Sequence, residues 1–90
     1  MGYAIVVYDF KVERVAKALK TLRKYLNWVQ NSVFEGEITE GKLRKLELEL
    51  KRVMREDEDS VIIYYFRTRK YQERKIIGVN KGPEDEIMLV

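Results

Sequence analysis

Two stretches of this chain carry no polar interruption, Ala4-Ile5-Val6-Val7-Tyr8 and Val61-Ile62-Ile63-Tyr64-Tyr65-Phe66. Unbroken β-branched and aromatic runs of this length read as central strands buried on both faces. Between them the period changes. Val12, Val15, Leu19, Leu22 and Leu26 step by three and four, which predicts an amphipathic helix over residues 11–26, closed by Asn27. Leu43, Leu46, Leu50 and Val53 repeat that stripe and predict a second helix to about residue 55, with Thr39 as its N-cap and Glu40 in its first turn. Leu48 falls off the stripe, either exposed or in contact with a partner. Residues 27–38 have β character broken by Asn31-Ser32, which predicts a tight hairpin, with a bent single strand as the alternative. Gly36 weakens the hairpin's second strand or marks a bulge.

An acidic turn over residues 56–60 leads into the second apolar run, and a short strand follows at residues 75–79. Asn80-Lys81-Gly82-Pro83 then signals a turn. Ile87-Met88-Leu89-Val90 either frays or adds a strand to a sheet edge. The order is β-α-β-β-α-β with an appended C-terminal strand, an α+β, ferredoxin-like arrangement in a single domain over residues 1–90, with residues 80–90 as the extension. Right-handed crossovers put both helices on one face of the sheet. Because both central strands are apolar on both faces, the second face also needs cover, and a twofold sheet-to-sheet homodimer supplies it.

Composition narrows the chemistry. Ninety residues, 46% hydrophobic and 37% charged, describe one globular domain with a heavily ionised exterior. A chain this short buries only about 60–65% of its unfolded surface when it folds alone, so a partner helps. Cysteine and histidine are both absent, which removes disulfides, thiolate nucleophiles, imidazole bases and most zinc or iron sites. Oxygen ligands and hard cations remain. No apolar run approaches the ~20 residues that span a bilayer. No leader pattern precedes the first strand, so a cytoplasmic protein is expected.

Asp9 stands where the first strand should give way to a helix. It either caps that helix or delivers a carboxylate to the rim of the sheet. The net charge is only +3 but is unevenly spread: Lys11, Arg14, Lys17, Lys20, Arg23 and Lys24 face the single acid Glu13, whereas acids gather at 35–40, 56–59 and 84–86. Clustered cations of this kind suit a polyanion, and they equally suit a solvated helix face.

Three motifs together, Val7-Tyr8-Asp9, Trp28-Val29-Gln30-Asn31-Ser32-Val33-Phe34-Glu35-Gly36 and Glu58-Asp59-Ser60-Val61-Ile62-Ile63-Tyr64, closely resemble the small CRISPR-associated adaptation protein family, the second core Cas protein and partner of the CRISPR integrase. The resemblance implies a homodimer in which Asp9 faces its twin and holds Mg²⁺. It also implies a metal-dependent endonuclease acting on single-stranded RNA or duplex DNA, with Tyr8, Arg14 and Phe34 at positions linked to that activity. Core packing is the other reading of Tyr8 and Phe34, and a phosphate contact or a solvated charge the other readings of Arg14. Two departures weaken the hydrolytic reading: Val15 and Ala16 stand where many relatives carry a second basic residue, and Trp28 stands where some carry another. The implied architectural role keeps its support: a dimer that bridges the integrase and grips a prespacer duplex through Lys11, Arg14, Lys17, Lys20 and Lys24. A ribonuclease toxin of the interferase type shares the fold and is a further alternative.

Overall fold

A computed structural model describes residues 2–68 and 71–79. The elements run β1 (Gly2–Asp9), α1 (Val12–Arg23), β2 (Asn27–Gln30), β3 (Val33–Ile38), α2 (Glu40–Val53), β4 (Ser60–Thr68) and β5 (Tyr71–Gly78). They form one five-stranded sheet in the order β2-β3-β1-β4-β5, with β1–β3, β1–β4, β2–β3 and β4–β5 all antiparallel. The α+β, ferredoxin-like order is thus present, and β5 pairs along the edge that β4 would otherwise leave open. The turn at 80–83 and the strand at 87–90 lie outside the described residues.

Both apolar runs became interior strands. Ala4, Val6 and Tyr8 of β1 alternate inward with Val61, Ile63 and Tyr65 of β4, and they pack beneath Ala18 and Leu22 of α1 and Leu43, Leu46 and Leu50 of α2. Both helices therefore cover the same face. Thr39 caps α2 as expected, its hydroxyl accepting the Lys42 N–H at 3.2 Å. Asn31 turns the hairpin at φ 42°, a left-handed conformation that asparagine tolerates.

Several expectations are corrected. Helix α1 is shorter than residues 11–26: it ends at Arg23 with Lys24 as C-cap, and Asn27 begins β2. Val12 is 85% exposed, so the buried stripe starts a turn later and runs through Val15, Ala18, Leu19 and Leu22. Periodicity alone does not say which end of a stripe reaches the sheet. Helix α2 stops at Val53 rather than near residue 55. Gly36 sits in an unbroken ladder opposite Ala4, and the bulge lies between Trp28 and Gln30 instead. Leu48 is exposed.

Candidate functional site

Asp9 is the last residue of β1 and pairs across the sheet with Ser60 of β4. Successive strand residues face opposite ways. Tyr8 consequently points into the helix-covered core, and Asp9 falls on the face shared by Ile5 and Val7, exposed at its rim. The N-cap of α1 is Lys11 rather than Asp9, which corrects the capping alternative.

Asp59, unremarkable as one acid among four in the sequence, organises the turn between β1 and α1. It has no solvent exposure. Its carboxylate accepts the backbone N–H of Lys11 at 2.9 Å and of Arg55 at 2.8 Å, and the Arg14 guanidinium at 2.6 Å and 3.0 Å. Hydrogen bonds from Arg14 and from these two backbone donors hold the Asp59 carboxyl well below the usual carboxylate range, against the opposing effect of burial. Gly78 closes the same corner. At φ 88° it brings β5 against the Asp59 backbone, where Val79 N–H reaches the Asp59 carbonyl at 3.0 Å and a side chain at position 78 would collide with it.

Arg14 also binds Glu58 at 2.7 Å, and its side chain is only 15% exposed. Its charge is committed to the segment before β4, so a phosphate would have to compete with two carboxylates for it.

Tyr8 and Phe34 lie in the core, their ring centroids 5.8 Å apart, and Phe10 sits 6.4 Å from Tyr8. The Tyr8 hydroxyl donates a long bond of 3.4 Å to the Asn31 carbonyl. Burial pushes the phenol above its ordinary value, which suits packing better than proton transfer at neutral pH. The structure does not gather Asp9, Tyr8, Arg14 and Phe34 on one surface.

Lys17, Lys20 and Lys24 do gather. With Thr21 and Val53 they line a shallow basin between α1 and the end of α2. Lys24 is tied to Glu49 of α2, which also accepts the Tyr25 hydroxyl. These two donors, Lys24 first, draw the Glu49 carboxyl below its usual value. Lys11 is exposed at the opposite end of α1.

Among the described residues no group of three or more Asp, Glu, His or Cys side chains is placed to hold a metal. At the rim of β1 the chain presents the exposed carboxylate of Asp9, an oxygen donor of the kind hard cations take. No described helix is long and apolar enough to cross a membrane.

A ferredoxin-like domain with an acid at the rim of the apolar sheet face that lies away from both described helices, and with lysines along one helix, is the class that fold and site define. The family model described as CRISPR associated protein Cas2 matches residues 1–74. Over 86 residues the chain is 51% identical to a Dictyoglomus turgidum protein, covering 96% of this chain and 99% of the relative. A Methanocaldococcus jannaschii protein is 50% identical over 86 residues, covering 96% and 75%. Both are named CRISPR-associated endoribonuclease Cas2. A crystal structure of a Cas2 superposes with TM-score 0.71 at 47% identity over 97% of this chain and 98% of its own. Streptococcus pyogenes Cas2 gives 0.63 at 29% identity over 69% and 82%. The chain belongs to the Cas2 family, which leaves the interferase-toxin alternative without support.

Proposed function

We propose that this chain works as a homodimer in CRISPR adaptation, bridging the CRISPR integrase and holding a prespacer duplex. The observation that carries the dimer is the face away from the helices, where Ile5, Val7, Phe66 and Ile76 are half-buried in one chain and lie beside Ile62 and Tyr64, which that chain already buries. An apolar sheet face of this extent on so small a domain favours a second copy as its cover. The duplex contact draws support from the basin of Lys17, Lys20 and Lys24, whose ammonium groups displace counterions from phosphates. Replacing all three by Glu should weaken duplex binding and flatten its salt dependence by about 0.9 in log–log slope for each phosphate no longer neutralised. Unchanged binding rejects this surface.

Metal-dependent cleavage of RNA or DNA is the second reading; the relatives' names favour its ribonuclease part, and the exposed rim position of Asp9 favours its metal. Two Asp9 carboxylates, one from each copy, would hold Mg²⁺, since paired acids repel until a cation or proton intervenes. When bound, the ion supplies neutralisation of phosphodiester charge and a lowered pKa for an attacking water. Asp59 serves this reading by fixing the turn that carries Asp9, and Lys11 leaves an exposed cation two residues along. Full cleavage by an Asp9→Asn variant would assign the activity elsewhere.

A further inference from the structure

Among the described residues β2 lies at an edge of the sheet, paired with β3 alone. All four of its residues are exposed, Trp28 at 58%. Trp28 pairs with Phe34, and Phe34 with Val6 of the core, so the indole stands on the side of the sheet that carries both helices. Its setting is therefore independent of what covers the opposite face. A bulge between Trp28 and Gln30 and the left-handed Asn31 bend the hairpin, and the Trp28 Nε1–H donates to the Asn31 carbonyl at 3.0 Å. That bond holds the ring by its edge and leaves its face to water. Among the described residues no second ring and no cation stacks on it. An aromatic ring already fixed in place loses little entropy when a planar group stacks on it.

Cations border this platform. The Asn31 carbonyl also accepts the Tyr8 hydroxyl at 3.4 Å, and the charge of exposed Arg23, the last residue of α1, acts on that hydroxyl against the effect of burial. Lys20 stands three residues before Arg23, hence beside it on the helix surface, and belongs to the basin of Lys17 and Lys24. The acids of β3 are turned away: Glu35 and Glu37 pair with Ile5 and Tyr3 and project from the opposite face. An exposed aromatic ring beside cations suits a polyanion that carries planar rings of its own, which is a nucleic acid. Stacking needs a base whose face is open. A single strand offers that face, and the interior of a duplex withholds it.

We propose that Trp28 stacks on an unpaired base of a single-stranded nucleic acid, with Arg23 and Lys20 holding the adjoining phosphates. The proposal rests on the nucleic-acid reading of this chain and adds a base contact that the duplex-gripping lysines do not make. Trp28 is the one tryptophan of the chain, so tryptophan emission reports this site alone. The full chain is titrated with short end-labelled oligouridylate and oligothymidylate, with a duplex of equal length, and with an abasic deoxyribose-phosphate strand. Anisotropy of the label gives each affinity independently of the emission. Both single strands should quench Trp28 emission by at least ~half, and the duplex and the abasic strand should leave it nearly unchanged. Trp28→Ala should loosen single-strand binding at least ~5-fold and duplex binding less than ~2-fold, with Trp28→Phe restoring part of the loss. Emission unmoved at saturation overturns the stacking, as does equal quenching by the abasic strand, and neither result needs a variant to fold. Single-strand affinity of Trp28→Ala within ~2-fold of the wild type overturns it too. A wild type that binds the duplex and no single strand removes this site and leaves the duplex reading standing; one that binds neither removes that reading itself. Quenching by RNA or by DNA supports the site, and the tighter of the two identifies its source.

Discussion

Arg14 and Asp59, 45 positions apart in sequence, meet with Nε 2.6 Å from Oδ2, and the aspartate is shut off from water. Through Asp59 the start of α1, the end of α2 and the start of β4 share one anchor. Asp59→Ala strands two backbone donors and removes the buried half of the Arg14 ion pair at once, leaving the guanidinium to Glu58. Breaking a buried pair from one side costs about 3–5 kcal/mol. A urea midpoint measured at fixed protein concentration should fall accordingly, and a midpoint within error of the wild type would refute the anchor.

Acid should undo the same corner. The folded-state pKa of Asp59 lies below its unfolded value near 3.9, so the folded chain binds fewer protons between the two. The stabilisation is fully present above about pH 5 and drains as pH falls through 4 toward the depressed value. Glu49, drawn down by Lys24 and Tyr25, acts in the same direction. Thermal melts from pH 7 to pH 2 should show the wild type losing stability below pH 4, with Asp59→Asn losing less over that window. Equal losses in the two proteins would contradict the assignment.

The corrected stripe of α1 separates two residues that look alike in sequence. Val12 is 85% exposed and Leu22 is fully buried. Val12→Ala should change stability by less than about 0.5 kcal/mol. Leu22→Ala should cost about 2–5 kcal/mol. Comparable effects would put the helix in the wrong rotation.

What was legible in the sequence depended on how local its cause was. The runs at 4–8 and 61–66 announced interior strands because flanking strands on both sides leave them little solvent contact. Asn31 and Thr39 announced a turn and a cap through their own side-chain chemistry. Asp59 was legible as part of a family motif and of an acidic turn, but its burial was not, because that depends on donors from Arg14 and Lys11, far away along the chain. Tyr8 and Asp9 read as one motif, although the pleat sends them to opposite faces.

If two Asp9 carboxylates face each other, removing their charge has opposite effects with and without metal. Asp9→Asn should leave the metal-free dimer as stable as the wild type or more so, because like-charge repulsion is gone. It should also abolish any rise in melting temperature on adding millimolar Mg²⁺, a rise the wild type owes to binding in the folded state alone. A variant that keeps the Mg²⁺ response places the ion elsewhere.

Sedimentation equilibrium of the wild-type chain at micromolar concentration tests the pairing of copies most directly. Paired copies should sediment with a mass close to twice the 10.8 kDa of one chain. A folded species that stays at 10.8 kDa across the concentration range would contradict it.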